Sequence, residues 1–140
     1  LDADGQHMPE EIAQVVEPIL LGKADFVNGS RVLGSHEAES QIRVAGVFLF
    51  NWLISILMFE RVTDASNAFR AIRSSTLNQL TLYQDQFHTS ELLIEAMKQN
   101  ARVVEVPITI RKRQSGETKK PPSLRYGWGF TKAIVGAWLR

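Results

Sequence analysis

Apolar positions along this chain recur at two different spacings, and the switching between them lays out an α/β order. Ile12, Val15, Val16, Ile19 and Leu20 return every three or four residues, which predicts an amphipathic helix over 9–21. Pro9, Glu10 and Glu11 suit its first turn, where proline is tolerated and carboxylates meet the positive end of the helix dipole, and Gly22 stops it. Residues 24–33 read as a strand leading into a functional loop, and 34–40 as a polar loop. Between Arg43 and Glu60 stand 16 uncharged residues, 13 of them apolar. A membrane span needs about 20 such residues. Asn51 and Ser55 also interrupt this run, so a buried or interfacial helix is expected over 44–59 rather than a span.

Further on, 63–73 reads as a turn and a short strand, followed by a helix near 74–80. A second clear helix covers 89–99, with Leu92, Leu93, Ala96 and Met97 on its apolar face. The β-branched run 102–110 predicts a strand, and Pro107 makes it an edge or bent one. Residues 111–123 form a basic loop closed by Pro121-Pro122. The last segment, 124–139, carries Tyr126, Trp128, Phe130 and Trp138 among few charges, as an interfacial helix or the approach to a membrane anchor would. No repeat or low-complexity tract breaks this order. Strands alternating with helices give an α/β layered sheet.

At 140 residues the chain is the size of one domain, and its 44% hydrophobic and 22% charged residues are those of a folded protein. Absence of cysteine excludes disulfides, a thiolate zinc site and a cysteine nucleophile. Three dispersed histidines leave little room for a histidine-built metal site, and none of His7, His36 and His88 is given a catalytic role, because loop or surface positions are expected for them. The net charge of +1 conceals an asymmetry: residues 1–100 hold 7 Lys/Arg against 13 Asp/Glu, and 101–140 hold 9 against 2. A phosphate-rich or anionic partner near the C-terminal part follows. Leu1-Asp2-Ala3-Asp4-Gly5 reads like the end of a buried strand entering a loop, and Arg140 ends the chain in mid-pattern. The expectation is a piece of a longer protein.

Four segments carry possible chemistry. In Asp2-Ala3-Asp4-Gly5-Gln6-His7, two carboxylates one residue apart can reach a hard cation whose other ligands are phosphate oxygens and water. A solvated acidic turn ahead of the helix is the plain alternative. In Asn28-Gly29-Ser30-Arg31, with Arg43 downstream, arginine offers a planar fork for phosphate and glycine permits close backbone approach; the alternative is a turn with an exposed arginine. In Thr63-Asp64-Ala65-Ser66-Asn67-Ala68-Phe69-Arg70, Asp64 can orient an acceptor or act as a base, although Asp64 and Asn67 are also ordinary turn-formers. The segment 111–120 sets five cations around Gly116, as a phosphate-binding loop, a nucleic-acid patch or a solvated basic turn. No aromatic residues interleave it to stack bases, which argues against nucleic acid.

Taken in order, Asp-Ala-Asp-Gly-Gln-His with Pro-Glu-Glu, Gly-Ser-Arg, Asp-x-x-Asn-Ala-Phe-Arg, Glu91-Leu-Leu, Glu105-Val-Pro and Arg-Gln-Ser-Gly-Glu-Thr-Lys resemble the family 2 glycosyltransferases. The likeness is greatest to the dolichyl-phosphate mannose synthase branch, with its other polyprenyl-phosphate hexosyltransferases, and spans residues 1 to about 120. It implies the C-terminal half of a GT-A (Rossmann-like) domain over 1–123, a mixed sheet with flanking helices, lacking the N-terminal nucleotide-binding half, followed by an interfacial or membrane-approach helix over 124–140. It further implies inverting transfer of a hexose, mannose or glucose, from a nucleotide-sugar such as GDP-mannose to a polyprenyl phosphate at the cytoplasmic face of a membrane. As a fragment the chain is expected to be inactive.

By the same resemblance, Asp2, Asp4 and Gln6 match the motif for Mg2+ or Mn2+ and the donor diphosphate. Ser30, Arg31 and Arg43 match the loop that meets the lipid phosphate, and Asp64 the acidic residue beside the acceptor. Arg113 and Lys119 match the basic loop closing over the donor, with Arg113 counted as catalytic. The chain has Asn67-Ala68-Phe69 where the family often has Ser-Gly-Phe, and Asn100 where a glycine is common. Two other functions compete with this one: a transferase of the same fold acting on a polysaccharide or glycan hydroxyl, and a non-catalytic module that binds anionic lipid.

Overall fold

The computed structural model describes residues 1–37, 41–112 and 123–140. A 3-10 turn at Pro9–Glu11 opens into α1 (Ile12–Leu20), so the predicted first helix is right in place but begins with a tighter turn. Next come β1 (Phe26–His36), α2 (Gln41–Met58), β2 (Arg70–Ile72), α3 (Ser74–Leu77), α4 (His88–Lys98), β3 (Val103–Ile110) and α5 (Ser123–Leu139). The expected helix near 74–80 shortens to the single turn of α3.

The sheet runs β2-β1-β3, with β1 antiparallel to β2 and parallel to β3, so it is mixed. Pro107 lies in an edge strand, as its missing N–H requires, and the β1–β3 register shifts between Ser30 and Ser35. The polar loop expected from residue 34 begins later. Ser35 and His36 resume pairing with Thr109 and Ile110, which keeps 34–36 in β1, while 38–40 lie outside the described residues. Gly34 makes this possible, because a Cβ there would fall 2.0 Å from the carbonyl oxygen of Ile108. The strand end expected at residues 1–5 is replaced by bends. Leu1 is 53% exposed, and the first paired residue is His7, bridged to Ile110.

Period-two alternation sends the strands' apolar side chains to two cores. Val27, Val104, Ile108 and Ile110 meet Val15 of α1 on one face. Phe26, Ile72 and Val103 meet Ile54 of α2, Leu93 and Ile94 of α4, and Phe130, Ile134 and Ala137 of α5 on the other. The segment expected to be an interfacial helix therefore lays one face into the core. Its remaining surface exposes Leu124, Trp128, Trp138 and Leu139. Asn100, in the position where a glycine is common, has φ of 57°, a left-handed conformation that asparagine tolerates better than most residues.

At the foot of β1, Asp25 ties the sheet together. It accepts from Arg102 Nε at 3.1 Å, the Arg102 backbone N–H at 3.0 Å and Arg73 Nε at 3.2 Å. The Arg102 hydrogen bonds, with Arg73 behind them, hold its carboxyl well below the usual carboxylate range.

Candidate active site

Register places a polar row directly above an apolar one on the α2 face of the sheet. Phe26 pairs with Ile72 and Val103; two residues on, Asn28 pairs with Arg70 and Glu105. Asn28 is fully buried and spends its amide inside this row. Its Nδ2 donates to Glu105 at 3.0 Å and to the Asp64 carbonyl at 2.8 Å, while its Oδ1 accepts from Arg70 Nε at 2.8 Å. Arg70 also donates to the carbonyls of Ala65 and Thr89. Burial lowers its pKa to about 10, against the pull of the Asp64 and Glu105 charges.

Glu105 holds the loop that follows α2. It accepts from the backbone N–H of Thr63 at 3.0 Å, from Thr63 Oγ1 at 2.7 Å and from the backbone N–H of Asp64 at 3.3 Å. The two polar residues that interrupt α2 hold the same loop from the other side. Asn51 donates to the Thr63 carbonyl and accepts from the Ala65 N–H at 2.8 Å, while Ser55 accepts from the Val62 N–H at 2.9 Å. Spaced one turn apart, they share the helix face turned toward this loop.

Held in this way, the Asp64 carboxylate is completely buried and faces Arg31. Arg31 gives it Nε at 2.9 Å, Nη2 at 3.2 Å and the backbone N–H at 3.1 Å, and Nη2 also donates to Ser66 Oγ at 2.7 Å. Ser30 lies next to the pair, with its Oγ 2.6 Å from Thr63 Oγ1 and accepting from the Leu33 N–H at 3.2 Å. Three of the expected site residues, Ser30, Arg31 and Asp64, thus converge. The glycine of this motif answers to packing, since a Cβ on Gly29 would fall 2.7 Å from the Phe69 carbonyl oxygen.

A cleft of about 120 Å³ is lined by Arg31, Val32, His36, Val44, Val47 and Phe48, a mostly apolar wall that includes one arginine. Outward from it, α2 exposes Phe48, Leu49, Trp52 and Ile56 along one stripe. Among the described residues no helix is long and apolar enough to cross a membrane.

The segment Asp2–Gln6 forms a tight turn. Asp4 Oδ1 accepts the Gln6 N–H at 3.1 Å, and Gly5 takes a φ of 78°. Gln6 directs its Nε2 to the Arg111 carbonyl at 3.1 Å, which leaves its carbonyl oxygen as the atom suited to a cation. Among the described residues no group of three or more His, Asp or Glu side chains could hold a metal ion. Two carboxylates and an amide oxygen do fit Mg2+ or Mn2+, which keep several positions for phosphate and water.

His7 corrects the expectation of a loop or surface histidine. It is buried beneath the turn, 5.1 Å from the Phe69 ring, and its two nitrogens join the backbone of Asp2 to the side chain of Asn67. The roles of the buried Asn28 and Asn51 and of the half-buried Arg70 and Glu105 were likewise not expected from the sequence. Polar residues at inward positions of a strand or an apolar helix were the available signal. Arg113 and Lys119 lie outside the described residues, as does the side chain of Arg43, whose backbone lies in α2.

Comparison with known proteins finds relatives over most of the chain. Over 112 residues, 76% of the chain and 45% of that protein, the sequence is 35% identical to a UDP-N-acetylglucosamine–dolichyl-phosphate N-acetylglucosaminyltransferase of Methanococcus voltae. It is 31% identical over 134 residues, 96% of the chain, to a dolichyl-phosphate hexose transferase of Haloferax volcanii, covering 58% of it. An undecaprenyl-phosphate mannosyltransferase of Micrococcus luteus is 30% identical over 138 residues, 85% of the chain and 51% of that protein. The chain thus spans about half the length of these relatives. Neither a protein-family model nor a solved structure matches it. Motif order, the convergence of Ser30, Arg31 and Asp64, and these identities place the chain in the glycosyltransferase branch that contains the dolichyl- and polyprenyl-phosphate hexosyltransferases.

Proposed function

We propose that the protein carrying this chain transfers a hexose, with inversion, from a nucleotide-sugar to a polyprenyl phosphate, and that the chain supplies the acceptor-side half of a GT-A domain. The observation that carries this reading is Arg31 in the lining of an apolar cleft, oriented by a buried carboxylate. An isoprenoid phosphate has the same two-part character, a branched apolar chain ending in an anion. The exposed apolar stripes of α2 and α5 would seat the domain on the membrane surface that holds such a lipid. The named relatives differ in the sugar that they transfer, so the reading commits to the acceptor class, with GDP-mannose the first donor to assay.

The residues divide the work by their chemistry. Arg31, with Arg43, holds the acceptor phosphate in line with the anomeric carbon, where positioning is worth several kcal/mol. A phosphate monoester has a second pKa near 6, so the nucleophile is already largely ionised at neutral pH. Asp64 therefore orients Arg31 and does not need to remove a proton. Asp2, Asp4 and Gln6 would hold Mg2+ or Mn2+, which supplies charge neutralisation for the leaving nucleoside diphosphate. Arg113 and Lys119 would add positive charge on the donor side.

Two substitutions in the intact enzyme test these assignments. Asp4→Asn is expected to abolish metal-dependent transfer, and undiminished activity would remove the metal assignment. Arg43→Ala is expected to raise the concentration of lipid phosphate needed for half-maximal rate. A change confined to donor affinity would contradict the acceptor-side role.

A further inference from the structure

Two buried side chains that the transfer chemistry does not use, His7 and Asn67, connect the two halves of the site. The Asp2 backbone N–H donates to His7 Nδ1 at 3.0 Å, so Nδ1 is an acceptor and the ring proton resides on Nε2. That proton reaches Asn67 Oδ1 at 3.1 Å. The orientation of the asparagine is fixed independently, because its Nδ2 donates to the Gly29 carbonyl at 2.7 Å and its Oδ1 also accepts the Phe69 N–H at 3.4 Å. A continuous chain of hydrogen bonds therefore runs from the acidic turn, through His7 and Asn67, into the strand carrying Ser30 and Arg31. His7 and Asn67 are 8% and 5% exposed, so water is a poor substitute for either partner.

We propose that His7, as its Nε2–H tautomer, is a positioning residue that couples the Asp2–Gln6 turn to the acceptor-side strand through Asn67, so that the two sites are set together. This rests on the reading of the turn as a divalent-cation site. The imidazole touches neither substrate. It acts by fixing the backbone of Asp2, from which one of the two carboxylates projects, and it transmits the position of Asn67 to that carboxylate.

Replacements that mimic one ring nitrogen at a time separate the two contacts. His7→Asn keeps an acceptor near the Nδ1 position for Asp2 but does not extend to Asn67. His7→Gln keeps a donor near the Nε2 position for Asn67 but gives up the Asp2 contact. Mn2+ binding to the intact protein, measured by electron paramagnetic resonance without nucleotide-sugar, is expected to weaken about fivefold in His7→Gln, the size of one lost hydrogen bond, and about two- to threefold in His7→Asn, to the same degree as in Asn67→Ala, because both cut the contact between the two side chains. Asn67→Ala is expected to weaken Mn2+ binding in the wild-type background and to have no effect once His7→Gln is present. Long-range proton–nitrogen correlation should place the His7 proton on Nε2. A proton on Nδ1, or fully additive losses for His7→Gln and Asn67→Ala, would overturn the coupling. If wild-type protein bound no Mn2+ while His7 carried its proton on Nε2 and lost that bond signature in Asn67→Ala, the cation-site reading would fall and the connection from His7 to Asn67 would stand.

Discussion

Asp64→Asn separates an orienting carboxylate from a catalytic base. The native carboxylate receives Arg31 Nε at 2.9 Å, Nη2 at 3.2 Å and the Arg31 N–H at 3.1 Å, with no exposed surface of its own and a side chain of Arg31 only 14% exposed. Asparagine retains one acceptor oxygen, turns an N–H2 group toward donors and removes the Asp64 charge from beside the guanidinium. Removing one partner of a buried pair costs about 3–5 kcal/mol. The retained acceptor and the slight exposure of Arg31 reduce this to about 2–3 kcal/mol, a shift of about 1 M in urea midpoint for a typical denaturant slope. Adding Arg31→Met should recover part of that loss, since the guanidinium donors that faced the Asp64 carboxylate are then gone as well. In transfer assays KM for polyprenyl phosphate should rise about tenfold, with a smaller fall in kcat. Loss of a general base would instead lower kcat by about 10²–10⁴. A destabilisation under about 0.5 kcal/mol, or a collapse of kcat at unchanged KM, would refute the reasoning.

Other outcomes follow from the same contacts. The folded-state pKa of Asp25 lies below its unfolded value near 3.9, so its contribution to stability is present above about pH 4 and is lost as pH falls toward the folded-state value. Urea midpoints of wild type and Asp25→Asn should therefore differ at about pH 6 and converge toward about pH 2; a constant gap would contradict the assignment. Gly34→Ala drives a Cβ against the Ile108 carbonyl and should cost about 3 kcal/mol or more in denaturant unfolding. Trp52→Ser removes one large side chain from the exposed stripe of α2 and should weaken sedimentation with phospholipid vesicles about tenfold while leaving the urea midpoint nearly unchanged.

Much of the layered order was legible because helix and strand periods leave distinct marks. The placement of α1, α4 and β3, and the edge position implied by Pro107, followed from periodicity and proline alone. The extension of β1 through Gly34 did not, since what keeps 34–36 in the strand is its partner β3, more than 70 residues away. The same limit hid the connection between His7 and Asn67, separated by 60 positions, because one sequence carries no register information. Arg31 and Asp64 were brought together in advance only by the order of family motifs. Asn51 and Ser55, read as interruptions in an apolar helix, are the contacts that hold the Asp64 loop in place. Polar residues one turn apart on an apolar helix were the sequence mark of that buried contact.

What Arg31 receives, a lipid phosphate or a lipid alcohol, can be read directly. Intact enzyme should be incubated with labelled nucleotide-sugar, beginning with GDP-mannose and UDP-N-acetylglucosamine, and with either a polyprenyl phosphate or the corresponding polyprenol. Label is expected in a lipid-linked phosphodiester with the phosphate acceptor, none with the alcohol, and loss of that product in Arg31→Met at subsaturating lipid. Equal transfer to the alcohol, or an Arg31→Met enzyme with unchanged lipid dependence, would contradict the acceptor-side role of Arg31.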